Sequence, residues 1–139
     1  MKIQIRGTPD FHFEVRNPDN GYSFAIGASE SIGGDESGFR PMQVLLASLG
    51  GCSGIDVVNI LKKSRVEFDS IDIEINGDRK PDSIPSPFTH VQLLFRVHGK
   101  NVDRSKVEKA VSLSVEKYCS AIASLDPAVK IETITEIVE

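Results

Sequence analysis

Residues 40–58 read RPMQVLLASLGGCSGIDVV, and this stretch decides the fold. Pro41 suits the first turn of a helix, because proline lacks the backbone N–H that would be unpaired there. From Pro41 to about Ser64 the residues predict one long helix. Lys62 and Lys63 lie in its last turn, where cations interact favourably with the helix dipole.

The predicted helix is apolar on nearly every face and leaves no wide polar stripe. Its apolar positions include Val44, Leu45, Leu46, Ala47, Leu49, Ile55, Val57, Val58, Ile60 and Leu61. A helix of this kind must be central in the fold, and one short chain has difficulty covering it. We therefore expect a homodimer built around it. Gln43, Asp56 and Asn59 interrupt the apolar run, so a buried helix is a better interpretation than a membrane span.

Cys52 lies in the middle of this helix, among three glycines. Gly50, Gly51 and Gly54 each cost about 1 kcal/mol of helix propensity relative to alanine, which makes sense where another backbone packs closely. The same small neighbours leave the sulfur uncrowded, as a reactive thiol requires. A position in mid-helix lacks the favourable dipole of a helix N-terminus, so a nearby arginine or lysine would have to activate Cys52.

The rest of the chain predicts strands and one more helix. Apolar alternation indicates strands at 3–5, 11–15, 22–26, 66–80, 88–97 and 129–137. The turn residues of 17–21 join two of the first strands in a hairpin. The phase of alternation slips near Asp69, which suggests a bulge. The class is therefore α+β, with an antiparallel sheet and a long buried helix.

Two further segments complete the prediction. Residues 27–39 are rich in Gly, Ser and acidic side chains, which indicates an exposed, mobile loop. Asp103 is placed to cap a second helix, whose apolar positions follow helical spacing from Val107 to Ile122. Cys119 lies at the end of that helix, and Pro127 ends the region.

Composition places limits on the class of protein. The chain has 139 residues, 40% of them hydrophobic and 26% charged, which fits a single soluble domain over residues 1–139. A net charge of −4 argues against nucleic acid or an anionic membrane as partner. The N-terminus lacks the apolar block of a signal peptide, so we expect a cytoplasmic protein.

The two cysteines, Cys52 and Cys119, are the candidate reactive residues. In a reducing compartment they are not expected to form a permanent disulfide, so they are either unrelated buried thiols or a redox pair. Their spacing excludes a CxxC motif. His12, His90 and His98 show no metal-ligand spacing, and no phosphate loop or dinucleotide fingerprint is present. The sequence therefore predicts no metal and no cofactor.

Residues 40–58 also carry a resemblance to a known family, and a second block supports it. That block comprises Gly77–Arg79, Pro87–Thr89 and Glu116–Ser120. The chain resembles the OsmC/Ohr family of small cytosolic thiol proteins in both blocks, each of which contains a family cysteine. The resemblance implies an intertwined homodimer, in which two long central helices pack between antiparallel sheets contributed by both subunits.

The resemblance further implies a thiol-dependent peroxidase. By the family's motifs, Cys52 would be the peroxidatic thiol and Cys119 the resolving thiol in the reduction of a small organic hydroperoxide. A dithiol reductant, such as a lipoylated protein, would then restore both thiols. Arg40 is the first candidate for the catalytic cation, and Arg16 and Arg79 are the others.

The chain also departs from the peroxidase pattern. Met42 and Gln43 occupy the two positions at which the family's branches carry a glutamate that holds the activating arginine. The competing interpretation is therefore a non-catalytic dimer that binds a small apolar ligand or senses oxidants through its cysteines.

Overall fold

Three short antiparallel strands form the first sheet, in the order β1-β2-β3. They are β1 (Gln4–Gly7), β2 (Phe13–Arg16) and β3 (Ser23–Ile26). The predicted hairpin is confirmed, since Arg16 pairs with Ser23 and the intervening Gly21 has a φ of +78° that suits glycine. Apolar side chains remain exposed on this small sheet, including Ile5 and Phe24.

The computed structural model describes residues 1–139, and its contacts define two compact units. The first unit is Met1–Leu45 and the second is Leu46–Glu139. The boundary falls inside the long helix, and the prediction of one domain over the whole chain stays a prediction.

Residues 27–39 are irregular, apart from a 3-10 turn at Glu30–Ile32. Two backbone hydrogen bonds close the base of this loop, from Gly27 N to Phe39 O and from Phe39 N to Ala25 O, both 3.0 Å long. The loop itself is confirmed, and its mobility stays a prediction.

Helix α1 (Pro41–Lys63) begins at the predicted residue and ends one residue before the predicted end. At its start, Gln43 Oε1 accepts a hydrogen bond of 2.9 Å from the backbone N–H of Arg40, which is half of a capping box. Within this chain only part of the helix is covered. Leu49, Val57 and Leu61 are fully buried, whereas Ile55 is 73% exposed. By length and composition α1 could cross a membrane, a test that the core helix of a soluble protein also passes.

The second sheet has the order β4-β5-β6 and is mixed. Its strands are β4 (Ser70–Arg79), β5 (Phe88–His98) and β6 (Lys130–Val138). β4 pairs with β5 antiparallel, but β6 pairs with β5 in parallel, so the prediction of an antiparallel sheet is wrong for β6. The reason is that the chain crosses over through helices between β5 and β6 and re-enters in the same direction.

The predicted bulge near Asp69 is also wrong. Strand β4 begins at Ser70, so the slip in phase marks the start of the strand, and the irregularity in register lies between Asp78 and Arg79.

Helix α1 packs against β4 through its glycines. A Cβ atom added at Gly54 would lie 2.6 Å from Ile73 Cδ1, and one at Gly50 would lie 3.6 Å from Ile73 Cγ2. The closest neighbour of these glycines is therefore a side chain of the sheet. Gly51 has no neighbour within 4 Å of the same atom. The core continues in β5, where Phe95 is fully buried.

The crossover between β5 and β6 carries Cys119. Helix α2 (Arg104–Leu113) is capped as predicted by Asp103, whose carboxylate accepts the N–H groups of the second and third helical residues. A π turn (Ser114–Tyr118) follows, and then the short helix α3 (Ser120–Ala123). The continuous helical face predicted as far as Ile122 is therefore wrong, because the chain becomes extended at Cys119 (φ −69°, ψ 101°).

Candidate thiol site

The two cysteines lie next to each other, although 66 residues separate them in sequence. Both are free thiols. Their sulfur atoms and a carboxylate oxygen of Asp56 all lie within 4.8 Å of one another. Cys52 is half-buried, whereas Cys119 is only 3% exposed. One thiol is therefore accessible from solvent, and the other is enclosed behind it.

Helix α1 places two of the three groups. Cys52 and Asp56 are four residues apart, so they lie one above the other on the same face. The sequence puts both residues on that face, together with Ser48, but gives Asp56 no role there. Only the approach of Cys119 from the crossover turns this helix face into a site.

The π turn places the third group. The backbone N–H of Cys119 donates to the carbonyl of Ser114 over 2.8 Å, a bond that spans five residues instead of the four of an α-helix. Extended backbone at Cys119 then directs the chain into α3. Such π turns are frequent at functional sites, and here the turn immediately precedes the buried thiol.

Two donors surround the sulfur of Cys119. Ser53 Oγ donates a hydrogen bond of 3.3 Å, and the backbone N–H of Ile122 donates one of 3.4 Å. Burial raises the pKa of the Cys119 thiol, and the neighbouring Cys52 adds to the increase, while the two hydrogen bonds oppose it. The net direction is upward, so Cys119 remains a protonated thiol at neutral pH.

Ser114 links the crossover to Asp56. Its hydroxyl oxygen lies 3.2 Å from Asp56 Oδ2 and 3.3 Å from the carbonyl oxygen of Ser53, and it can donate its hydrogen to either acceptor. Ser114 and Ser53 are both fully buried. Sequence reasoning missed both serines, because nothing local distinguishes them from other small helical residues.

Two of the three arginines proposed from the sequence, Arg40 and Arg79, have other partners. The guanidinium of Arg40 pairs with Glu36, and both side chains belong to the first unit, whereas both cysteines belong to the second. Arg79 Nε donates to the carbonyl of Ser86 over 2.7 Å. A carboxylate, that of Asp56, lies beside the two sulfurs.

The histidines lie on strands and in a loop, as expected. His90 Nδ1 is 3.1 Å from Asp78 and its Nε2 is 3.0 Å from Glu132, on the second sheet. His98 pairs with Asp72 over 2.7 Å. These histidine contacts are separate from the thiols.

A cavity of about 490 Å³ adjoins the thiol site at Asp56. Its lining mixes polar and apolar groups, namely Asp56, Asn59, Ile60, Lys63, Ser64, Leu113 and Tyr118. A small amphipathic molecule would therefore find both kinds of contact here.

Comparison with known proteins gives consistent results. The family model for OsmC-like proteins matches residues 33–134. Protein YhfA of Escherichia coli strain K12 is 41% identical over 98 residues, which are 70% of this chain and 72% of that protein.

Solved structures share the fold over nearly the whole chain. A hypothetical protein from Aquifex aeolicus is 31% identical with a TM-score of 0.83, and the match covers 98% of this chain and 94% of that one. The organic hydroperoxide resistance protein OhrB of Bacillus subtilis is 21% identical with a TM-score of 0.62, over 98% and 96% of the two chains. At that identity the likeness to OhrB shows the fold alone.

Proposed function

Because this chain belongs to the OsmC-like protein family, we propose that it is a thiol-dependent peroxidase that reduces small organic hydroperoxides through Cys52 and Cys119. One observation carries the proposal. Two free thiols from distant parts of the chain lie side by side, one accessible and one buried. That order suits a peroxidatic thiol in contact with substrate and a resolving thiol behind it.

In the first step the Cys52 thiolate attacks one oxygen of the hydroperoxide. An S–O bond forms, the O–O bond breaks, and the leaving alkoxide takes a proton and departs as the alcohol. Cys52 becomes a sulfenic acid. The small residues beside Cys52 leave room for this approach, and the Cys52 side chain is only half-buried.

In the second step the sulfur of Cys119 attacks the sulfur of the sulfenic acid. An S–S bond forms, the S–O bond breaks, and hydroxide leaves as water after it takes a proton. The carboxylate of Asp56, within 4.8 Å of both sulfurs, is placed to accept the thiol proton of Cys119 and return it to the hydroxide. A dithiol reductant, such as a lipoylated protein, then reduces the disulfide by thiol exchange.

Arg40 stays the catalytic cation proposed from the sequence. Its guanidinium is paired with Glu36, which supplies a carboxylate that the family's usual positions, Met42 and Gln43, lack in this chain. Gln43 instead accepts the N–H of Arg40 at the start of α1.

A cytoplasmic homodimer is the proposed form of the enzyme. Its support is the uncovered surface of α1, where an open apolar groove is lined by Gly51, Gly54, Ile55, Val58, Asn59, Lys62, Ile71 and Ile73. A second α1 helix would cover this groove and bury Ile55. A reducing cytoplasm would also supply the dithiol that the cycle consumes.

The test is consumption of cumene hydroperoxide in the presence of dihydrolipoamide. Wild type should turn over, and Cys52→Ser should lose activity completely. In Cys119→Ser, one equivalent of peroxide should leave a sulfenic acid on Cys52 that dimedone traps. Peptide mapping that finds Cys52 still reduced, while oxidation follows Cys119 alone, would contradict the assigned order.

A second function is favoured by the 490 Å³ cavity beside Asp56. The protein would bind a small amphipathic ligand there, and the thiols would report oxidants without turnover. In that case neither thiol reacts with a low excess of peroxide, and binding of a fatty acid probe persists in Cys52→Ser but is lost when Leu113→Arg fills the cavity.

A further inference from the structure

The thiol site has a second chemical capacity, which follows from its donor atoms. Two cysteine sulfurs and one carboxylate oxygen converge so that every pair of atoms is within 4.8 Å. The donors come from positions 52, 56 and 119, so they do not form a local metal-binding motif in the sequence. The histidines show no metal-ligand spacing in the sequence, and they lie elsewhere in the structure.

Three such atoms are within reach of one ion. A Zn²⁺ ion binds a thiolate at about 2.3 Å and a carboxylate oxygen at about 2.0–2.2 Å, so the donors of a tetrahedral ion lie about 3.5–3.8 Å apart. Small rotations of the Cys52 and Asp56 side chains on α1 cover the remaining distance. Cys52 is half-buried, so solvent reaches this side of the three donors.

We propose that Cys52, Asp56 and Cys119 form a binding site for one thiophilic divalent cation, for which Zn²⁺ is the best fit. Two sulfurs select a soft or borderline ion over Mg²⁺ and Ca²⁺, which prefer oxygen ligands. The carboxylate completes a three-ligand set of the kind that leaves one position for water or substrate.

The surrounding contacts support these three residues as ligands. Ser114 Oγ lies 3.2 Å from Asp56 Oδ2 and orients the carboxylate, as outer hydrogen bonds do at metal sites. Ser53 and the backbone N–H of Ile122 donate hydrogen bonds to the sulfur of Cys119, and these bonds stabilise its thiolate. The thiolate is the form of cysteine that binds a metal.

The ion and the disulfide are mutually exclusive, because both use the same two sulfurs. Binding of Zn²⁺ to the reduced protein displaces the thiol protons and shields Cys52 from alkylation. This inference does not depend on peroxidase activity, since it requires only reduced thiols and the neighbouring carboxylate.

The test is calorimetric titration of the reduced, full-length protein with Zn²⁺, followed by Co²⁺ as a spectroscopic probe. We expect one ion per chain and thiolate-to-cobalt charge-transfer absorption. Cys52→Ser and Cys119→Ser should lose that absorption, and Asp56→Asn, which keeps an acceptor for Ser114, should weaken Zn²⁺ at least as much as the roughly 10–100-fold expected for loss of an outer-shell partner.

His90→Gln is the matched control, because it changes a histidine with two carboxylate partners, Asp78 and Glu132, that lies outside the proposed site. Its Zn²⁺ affinity should equal that of wild type. The proposal is overturned if wild type takes up no Zn²⁺ at millimolar concentration. It is equally overturned if binding survives unchanged in Cys52→Ser and Asp56→Asn. Circular dichroism of each variant shows whether a loss of binding is caused by misfolding. A second measurement of Zn²⁺ binding in wild type is the protection of Cys52 from alkylation by iodoacetamide.

Discussion

Ser53 Oγ donates a hydrogen bond of 3.3 Å to the sulfur of Cys119, and both groups are buried. The residue next to the accessible thiol in sequence therefore supports the enclosed thiol in space. Since Ser53 belongs to α1 and Cys119 to the crossover, this contact joins the two segments that build the site, together with the bonds of Ser114.

Replacing Ser53 by alanine should raise the pKa of Cys119 further, because the hydrogen bond favours the thiolate and burial opposes it. In a Cys52→Ser background, alkylation of Cys119 by iodoacetamide should therefore require a higher pH in Ser53→Ala than in the parent. Ser120→Ala, an exposed neighbour, is the control. An unchanged pH profile in Ser53→Ala would contradict the role given to this bond.

Stability should fall in alkaline solution because of Cys119. Its folded pKa lies above its ordinary value of 9.0, so between these two values the unfolded chain has lost the proton and the folded chain still holds it. The contribution of the buried thiol is therefore fully present below pH 9 and declines as the pH rises toward the folded pKa. Urea unfolding of reduced protein from pH 8 to pH 10.5 measures this decline. Cys119→Ser should lose less stability over the same interval, and equal losses would contradict the assignment.

Alanine substitutions at two adjacent glycines of α1, Gly50 and Gly51, test the proposed dimer. A methyl group at Gly50 makes ordinary contacts with Ile73 and Ile75, so Gly50→Ala should gain up to about 1 kcal/mol of helix propensity. Gly51 is open within the chain, yet we expect Gly51→Ala to destabilise, because a second α1 helix approaches there. Denaturant unfolding compares the two variants.

A bulky charge at the same position gives a stronger test. Gly51→Glu should be insoluble or unfolded, because it blocks the close approach of two helices. Analytical ultracentrifugation of a soluble, well-folded Gly51→Glu monomer would show that the chain does not need the interlocked dimer.

The loop at 27–39 should exchange its amide hydrogens faster than α1. Its 3-10 turn at Glu30–Ile32 buries no residue, so local opening exposes little apolar surface. The amides of Gly27 and Phe39, which close the base of the loop, should be the slowest within it. Hydrogen exchange followed by mass spectrometry tests this, and protection of residues 30–36 equal to that of Leu49 would mean that the loop does not open.

Local chemistry was sufficient to predict both ends of α1 to within one residue and the start of α2. Pro41 and Lys63 bound α1 because their roles depend only on the adjacent turns, and Asp103 caps α2 for the same reason. The Asn17–Gly21 turn likewise specifies its own hairpin. The fold class and the family followed from these elements and from the two motif blocks.

The features that could not be predicted from the sequence depend on pairing between distant segments. Alternation in 129–137 predicts a strand but does not say which way it runs beside β5. The π turn that brings Cys119 toward Asp56 has no local composition signal, since Ser114 to Tyr118 would also suit an α-helix. Asp56 could be placed on the face of Cys52, but its closeness to Cys119 required the crossover.

A disulfide between the two thiols would also change the stability of the protein, because it would lower the conformational entropy of the unfolded chain. A bond between positions 52 and 119 would close a loop of nearly 70 residues, and loop closure of that length restricts the unfolded chain by about 4 kcal/mol when the bond is unstrained. For a chain of this size the melting temperature would then rise on the order of 10 °C. The oxidised protein would therefore resist heat and proteolysis better than the reduced protein. Exposure to oxidant would then lengthen the lifetime of the protein as well as change its thiols.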